Sequence, residues 1–290
     1  MSDNLDEALS GLRDLLSIET IDTGLYRGAA TGDKARRVFG GQAIAQALCA
    51  AADTIGPERQ AHSLHAYFLR AGDVRKPIIY RVLPDFDGGS FSNRRVVAIQ
   101  DGRPILNLAA SFHIVEEGFS HSRAMPAVPG PEDCFDFATA LAHAGQSLPR
   151  TLLEKVAPFE IRVPPPSPRE QGSDGLPVQF LWFRLARPLG LDATLQRVLL
   201  AYVSDFALLT TSVLPHPVTF FSPALQGASL DHALWFHSVP NTDDWLLYAM
   251  DSPWSGQARG FARGALFDRS GKLIASTAQE GLIRPVETQD

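Results

Sequence analysis

Asp205 is a carboxylate in a segment that is otherwise apolar. It is the only charged residue between Val198 and Leu214, and no Lys or Arg lies three or four residues away to form a local ion pair. The hydrophobicity of the segment predicts a buried helix. Burial of an unpaired carboxylate costs roughly several kcal/mol, and strongly perturbed titratable groups are frequent at functional sites. Asp205 is therefore a candidate general base; the alternative is a structural carboxylate that accepts hydrogen bonds from a neighbouring segment.

Ser229 and Gln279 are two further polar residues with possible chemical roles. Ser229 lies where a predicted strand begins, and Gln279 lies on the largely apolar face of the last predicted strand, where the first half of the chain has Ala110 at the matching position. A carboxylate, a hydroxyl and an amide make a set that can activate water, because Asp205 can accept the proton while the other two orient the water. Each residue alone is also compatible with a structural role, such as turn formation by the serine.

Other catalytic signatures are missing from the sequence. It contains no Gly-x-Ser-x-Gly elbow, no GxGxxG or Walker loop and no zinc-type histidine spacing. His232 and His237 fall on opposite faces of a predicted strand, which favours core or boundary positions over a shared metal. These absences argue against an α/β-hydrolase, a nucleotide-driven enzyme and a zinc enzyme.

Composition and charge restrict the partners. The net charge is −6 and the pI is about 5.7, which argues against a nucleic-acid footprint. The longest unbroken apolar run, Val198–Val203, is far shorter than the roughly 20 residues of a membrane span. The acidic N-terminus does not resemble a secretory signal, and Cys49 and Cys134 have neither disulfide nor metal spacing. We therefore expect a cytoplasmic protein with reduced thiols and no membrane span.

The chain contains the same pattern twice. In the first half, strand-like segments occur at Leu64–Arg70, Pro77–Val82, Ser92–Ile99 and Pro104–Phe112. In the second half they occur at Asp231–His237, Asp244–Met250, Gln257–Phe267 and Lys272–Gln279. The offset is 167 residues between His65 and His232 and 169 between Gly102 and Gly271, so the spacing is nearly constant. Asp101-Gly102 and Ser270-Gly271 are hairpin signals. The pattern indicates a duplication of antiparallel strands.

Each half also has one apolar helix ahead of these strands. The first is predicted from about Gly41 to Ile55, and the second from about Asp192, a suitable N-cap, to Leu214. A strand-like segment precedes each helix, at Gly24–Gly28 and Val178–Leu185. One long helix among antiparallel strands is typical of the α+β class, and a helix that is apolar nearly all round must be wrapped by its sheet. Between the halves, a Pro-rich stretch is interpreted as a linker with one possible short helix at Ala138–Ala144.

The chain resembles the acyl-CoA thioesterase II family, the double-hotdog thioesterases, over almost its full length. The resemblance depends on an ordered series of segments: Arg37–Gln42, His62–Arg70, Lys76–Tyr80, Ser90–Arg95, Tyr202–Asp205, Leu230–His237, Asp244–Tyr248, Ala258–Gly264 and Ala275–Gly281. It implies an α+β double hotdog, with two tandem hotdog repeats that each wrap an antiparallel sheet around a central helix. The implied domains are an N-terminal hotdog at 1–117, a Pro-rich linker at 118–176 and a C-terminal hotdog at 177–290 that carries the catalytic residues.

The resemblance also implies a reaction and its residues. In the family an Asp, a Thr or Ser, and a Gln hold the hydrolytic water, and the motifs place these roles on Asp205, Ser229 and Gln279. The implied reaction is hydrolysis of an acyl-CoA thioester to a fatty acid and CoA by an Asp-activated water, with one active site per chain and no metal or cofactor. Gly40 and Gly41 are candidates for holding the thioester oxygen, because amides at a helix start are unpaired donors. The family members assemble as oligomers, so we expect a homo-oligomer, either a dimer or a tetramer.

Two alternatives remain at this point. A hotdog hydratase or dehydratase acting on acyl-CoA would also use a carboxylate, but paired with a histidine, and no Asp-x-x-x-x-His pattern surrounds Asp205. A non-catalytic acyl-CoA-binding hotdog protein would not need the three polar residues. Activity on a chromogenic acyl-CoA would distinguish it from a thioesterase.

Overall fold

The structure, a computed structural model, describes residues 2–30, 32, 37–145, 147–165 and 175–286. Within these residues the α-helices are α1 (Ser2–Leu16), α2 (Gly40–Asp53), α3 (Phe137–His143), α4 (Arg150–Val156) and α5 (Ala193–Ser204), with 3₁₀ helices at Pro131–Asp133 and Leu209–Val213. The strands are β1 (Ile18–Asp22), β2 (Leu25–Gly28), β3 (Arg59–Phe68), β4 (Ile78–Asp87), β5 (Phe91–Gln100), β6 (Arg103–Ile114), β7 (Phe135–Asp136), β8 (Phe159–Val163), β9 (Val178–Leu185), β10 (Leu225–Ser229), β11 (Asp231–Phe236), β12 (Leu246–Gly256), β13 (Arg259–Asp268) and β14 (Leu273–Pro285). Antiparallel strands with few helices place the chain in the predicted α+β class.

The chain forms two compact units. The first unit comprises Met1–His121, Leu191–Phe206 and Asp231–Pro240, and the second comprises Ser122–Gly190, Ala207–Leu230 and Asn241–Asp290. Helix α5 and strand β11 therefore belong to the first unit, where α5 packs on α2 and β11 pairs with β3. The predicted domain boundaries at 1–117, 118–176 and 177–290 stay a prediction.

The first unit is a sheet that packs on helix α2. Its strands pair antiparallel in the order β1-β2-β4-β5-β6-β3-β11, and α2 contacts β3, β4, β5 and β6. Along α2, Ile44, Ala45, Ala47 and Leu48 have at most 1% of their surface exposed. The small alanines let strands approach closely, while burial of each large apolar side chain is worth about 1.5–3 kcal/mol. The predicted helix from Gly41 to Ile55 is confirmed apart from its ends, which differ by one or two residues.

The predicted helix from Asp192 to Leu214 is wrong at its C-terminal end. Its start is confirmed, since the Asp192 side chain caps α5 by accepting hydrogen bonds from two first-turn amides. The helix then ends at Ser204, and Ala207 adopts a positive φ of 59°. A residue in this left-handed region interrupts α-helical hydrogen bonding, and the chain continues into the 3₁₀ helix at Leu209–Val213. The apolar pattern continues through the break, so hydrophobicity alone could not locate it.

The strands of the second unit are also antiparallel. They follow the order β14-β13-β12-β9-β8-β7, and β10 pairs with the C-terminal end of β14, from Gly281 to Pro285. The 3₁₀ helix packs against β12, β13 and β14. The predicted hairpin turn at Ser270-Gly271 is present, with Gly271 at a positive φ of 87°. The equivalent turn in the first unit has positive φ at both Asp101 (48°) and Gly102 (72°), which is the geometry of a type I′ hairpin.

The segment interpreted as a linker contains regular structure. The predicted helix at Ala138–Ala144 is confirmed as α3. The interpretation of the remainder as irregular linker is wrong for β8, which pairs with β9 from Phe159↔Leu185 to Arg162↔Trp182. Phe159 and Ile161 give β8 apolar side chains that a Pro-rich composition obscured. Residues 146 and 166–174 of this segment lie outside the described residues.

None of the helices formed by the described residues is long and apolar enough to cross a membrane.

Candidate active site

Asp205 lies at the C-terminal end of α5, where it is the C-cap residue, and it is half-buried. The sequence predicted that Asp205 would lie inside a continuous buried helix. The structure instead places it at the end of the helix. The C-terminal end of a helix carries a partial negative charge, so a carboxylate there is unfavourable unless other donors compensate. The position of Asp205 consequently depends on groups outside its own helix.

The main-chain amide of Gly41 supplies such a donor. The Gly41 N–H donates a hydrogen bond of 2.9 Å to Oδ2 of Asp205. Gly41 is in the first turn of α2, where amides lack partners within the helix and the helix dipole favours a negative charge. A hydrogen bond to a charged group contributes roughly 1.5–3 kcal/mol. The N-terminus of α2 therefore holds the Asp205 carboxylate in a fixed orientation.

The two positions at the start of α2 have no room for a side chain, so both are glycine. A Cβ atom added to Gly40 would lie 2.6 Å from Oδ2 of Asp205, and one added to Gly41 would lie 2.3 Å from the carbonyl oxygen of Tyr202. Both distances are shorter than real Cβ contacts, so a larger residue would displace the carboxylate or separate the two helices. The predicted role of Gly40 and Gly41 in holding the thioester oxygen stays a prediction; in this structure the Gly41 amide donates to Asp205.

Three aromatic rings surround the end of α5. The ring centroids of Phe39, Tyr202 and Phe206 lie 5.2–5.3 Å from one another. Burial raises the pKa of the Tyr202 phenol above its ordinary value, and the negative charge of Asp205 raises it further, so the phenol stays protonated at neutral pH. Sequence reasoning missed these rings, although Phe39 directly precedes the two glycines and Phe206 directly follows Asp205.

His232 approaches the residue before Asp205. Its Nε2 lies 2.9 Å from Oγ of Ser204, whose hydroxyl also donates to the Ala201 carbonyl oxygen at 3.0 Å. With the serine proton used in this way, Nε2 must carry the imidazole proton. Nδ1 has no hydrogen-bond partner among the described residues. Burial lowers the pKa of His232 to about 3, so the ring is neutral, and its predicted core position is confirmed by an exposure of only 1%.

Ser229 and Gln279 are brought together in the second unit. Nε2 of Gln279 donates a 3.0 Å hydrogen bond to Oγ of Ser229. Ser229 ends β10 opposite Gly281, and Gln279 lies two residues earlier on β14, completely buried. The Ser229 hydroxyl accepts the hydrogen bond from the Gln279 amide, and its side chain makes no other hydrogen bond among the described residues. The hydroxyl proton of Ser229 is therefore not used in this pair. The hydroxyl can thus accept from the amide and donate to a bound molecule.

The strand that carries Gln279 is packed tightly. Thr277, on the same face of β14, has its Oγ1 2.9 Å from the hydroxyl of Tyr248, and both side chains are buried. On the other side of Gln279, a Cβ added to Gly281 would lie 2.2 Å from Leu209 of the 3₁₀ helix. The counterpart Ala110 is also completely buried, on β6 of the first unit. The glutamine amide is therefore presented by a rigid strand.

Among the residues that the structure describes, the other titratable groups form neither a metal centre nor an activated thiol. The described residues contain no cluster of three or more His, Cys, Asp or Glu side chains suited to a metal ion. Burial raises the pKa of the Cys49 thiol to about 11, and burial also raises the pKa of the Cys134 thiol. Neither cysteine has the low pKa of a catalytic thiolate.

Comparison with solved structures identifies the fold class. The crystal structure of a conserved protein of unknown function with a hot dog fold, from Alicyclobacillus acidocaldarius, superposes with a TM-score of 0.74 at 22% identity, over 94% of this chain and 98% of that chain. The predicted hotdog architecture is confirmed, which defines the chain as a hotdog-fold protein.

Closer relatives identify the family. The crystal structure of the acyl-CoA thioesterase II TesB2 from Mycobacterium marinum has a TM-score of 0.80 and 37% identity, over 95% of this chain and 99% of that chain. Acyl-CoA thioesterase 2 of Haemophilus influenzae is 40% identical over 283 residues, which cover 97% of this chain and 99% of the relative. The family model for acyl-CoA thioesterase matches residues 155–282, and that for the acyl-CoA thioesterase N-terminal domain matches residues 30–113. The chain belongs to the acyl-CoA thioesterase family, and the predicted enzyme class, a thioester hydrolase, is confirmed.

Proposed function

We propose that this enzyme hydrolyses acyl-CoA thioesters with a water molecule activated by Asp205 and oriented by Ser229 and Gln279. The substrate class is supported by family membership and by relatives that are themselves named acyl-CoA thioesterases. The observation that carries the mechanism is the hydrogen bond from the Gln279 amide to the Ser229 hydroxyl.

That hydrogen bond argues against a nucleophilic serine. A catalytic serine needs an adjacent base that removes its proton as it attacks. The observed partner of Ser229 Oγ is an amide N–H, which is a donor and cannot accept that proton. The pair is suited instead to hold a water through the free serine proton, while the base acts on the water itself.

Asp205 is the proposed base. Its Oδ2 accepts a hydrogen bond from the Gly41 amide, which orients the carboxylate, and the carboxylate is the group that accepts a proton from water. As the water oxygen attacks the thioester carbonyl carbon, one water proton moves to the carboxylate. The tetrahedral intermediate then expels the CoA sulfur by cleavage of the C–S bond, and the proton on Asp205 passes to the thiolate. The products are a fatty acid and CoA, and the carboxylate is restored.

Two further properties are part of the proposal. We expect a cytoplasmic location and a homo-oligomer, either a dimer or a tetramer. Light scattering coupled to size-exclusion chromatography measures the oligomeric state, and a monomer at micromolar concentration would contradict it.

The test of the proposed function is acyl-CoA hydrolysis by Asp205→Asn. The amide keeps the shape of the side chain and removes the base, so the turnover number should fall by about 10²–10⁴-fold. Asp85→Asn is the matched control, because Asp85 is an exposed carboxylate on β4 that pairs with Arg95; it should retain turnover. If folded Asp205→Asn hydrolyses acyl-CoA at the wild-type rate, the proposed role of Asp205 is wrong.

A further inference from the structure

Arg197 is a buried cation that has no carboxylate partner among the described residues. It lies on α5 in the first unit, with only 7% of its surface exposed. Its guanidinium donates to the carbonyl oxygen of Ala193 and to Oε1 of Gln60, and its Nε has no partner among the described residues. Burial lowers the pKa of Arg197, and no neighbouring carboxylate counteracts this effect. A guanidinium stays charged in proteins, so a full positive charge is left inside the unit.

A small cavity adjoins this guanidinium. Its volume is about 50 Å³, and its polar lining comes from Arg59, Gln60, Thr194 and Arg197. Arg59 contributes a second guanidinium whose buried Nε also has no partner among the described residues. The charge of Arg59 is balanced by Glu58, whereas that of Arg197 is not. The cavity is therefore lined by two guanidinium groups, of which that of Arg197 has no carboxylate partner among the described residues.

Arg94, a second buried arginine of the same unit, has a carboxylate partner. Arg94 is 5% exposed, close to the value for Arg197. It forms an ion pair of 2.9 Å with Asp87 and donates further hydrogen bonds to Thr54 and to main-chain carbonyls. Because a buried charge is costly unless it is paired, the contrast indicates that Arg197 lacks a counter-charge within the part of the chain that the structure describes.

We propose that this cavity binds a small inorganic anion of the halide type, such as chloride, beside Arg197. The cavity, at about 50 Å³, exceeds the roughly 10–15 Å³ that one water-sized sphere occupies, so a single halide fits, whereas a nucleotide does not. The Arg197 and Arg59 N–H groups are the donors that the anion would accept from. This site is separate from the residues assigned to hydrolysis, and its occupancy is expected to stabilise the first unit.

Bromide locates the site directly. Crystals grown without chloride and soaked in sodium bromide should show an anomalous peak in the cavity, within hydrogen-bonding distance of Arg197. Crystals of Arg197→Gln, which keeps polar groups and removes the charge, should show no peak there. A cavity that holds only water in the wild type at saturating bromide would refute the proposal, and so would an equal peak in Arg197→Gln.

Solution stability tests whether binding occurs outside the crystal. Thermal unfolding is measured in sodium chloride and in sodium gluconate, an anion too large for the cavity, at equal ionic strength. Ligand binding raises the midpoint in proportion to the logarithm of concentration, so chloride should raise the wild-type midpoint by roughly 2–4 °C. The effect should vanish in Arg197→Gln and persist in Arg94→Gln, which removes a buried arginine that already has a partner. A bromide peak without any chloride effect in solution would mean binding at crystal concentration only and would overturn the proposal.

Discussion

Gly40→Ala is expected to slow acyl-CoA hydrolysis by about 10²-fold without unfolding the enzyme. The added methyl would lie 2.6 Å from Oδ2 of Asp205 and 2.9 Å from Cζ of Phe68, so the carboxylate must move away from the start of α2. A misplacement of about 1 Å in a catalytic group lowers the rate by about 10²-fold. Loss of the hydrogen bond from Gly41 to Asp205 predicts a similar decrease in rate. A hydrogen bond to a charged group contributes roughly 1.5–3 kcal/mol, and the same change in the activation barrier lowers the rate by about 10- to 150-fold.

The assay is steady-state hydrolysis of a series of acyl-CoA concentrations, with release of CoA detected by a thiol reagent. Because the methyl disturbs the base and not the bound substrate, the loss should appear in kcat, with KM changed little. Gly11→Ala is the matched control: Gly11 is an exposed glycine of α1, and an added Cβ there would meet no atom within 4 Å. That control should keep wild-type turnover and gain about 0.5–1 kcal/mol of stability, as expected for a helical glycine replaced by alanine.

If Gly40→Ala hydrolyses acyl-CoA at the wild-type rate, a methyl group at this position does not displace the Asp205 carboxylate. Circular dichroism and the unfolding midpoint must show that the variant is folded before its rate is interpreted. A rise in KM at constant kcat would also contradict the argument, since it would place the effect of Gly40 on substrate binding.

Three further predictions concern the second unit, the counterpart of Gln279 in the first unit, and the buried histidine. Ser229→Ala and Gln279→Ala should each lower kcat by about 10- to 100-fold, and the double variant should lose less than the product of the two, because the side chains share one hydrogen bond; fully multiplicative losses would show that they act separately. In the first unit, Ala110→Gln should create no second site and leave turnover per chain unchanged. His232 has its pKa lowered by burial from 6.5 to about 3, so between these pH values the unfolded chain binds more protons than the folded one. The free energy of unfolding should therefore fall by up to roughly 1.4 kcal/mol per pH unit as pH decreases through this window, and denaturant titrations of His232→Gln should lack this contribution; an identical pH dependence in the variant would disprove it.

Local patterns in the sequence predicted much of the fold. The two hairpin turns, helix α2 and the N-cap Asp192 were found because residue types and short-range periodicity determine them. Comparison of the two halves singles out Gln279, since a glutamine stands where the first half has alanine. Duplication therefore made an unusual residue visible in a single sequence.

Long-range contacts could not be predicted in the same way. The hydrogen bond between Gly41 and Asp205 joins residues 164 positions apart, so no local pattern reports it. The end of α5 depends on the left-handed conformation of Ala207, a residue type that ordinarily favours helix. The burial of Arg197 is likewise visible only in the packing of α5 within the first unit.

The central claim is that water attacks the thioester directly, and intact-protein mass spectrometry after rapid quenching tests it most directly. Wild-type enzyme is mixed with a slight excess of acyl-CoA and quenched in acid at times spanning the first turnovers. Direct hydrolysis predicts that the chain keeps its unmodified mass at every time while CoA and fatty acid accumulate together. An adduct of acyl mass on Ser229 that forms and decays at the catalytic rate would contradict the mechanism and establish a covalent, two-step thioesterase.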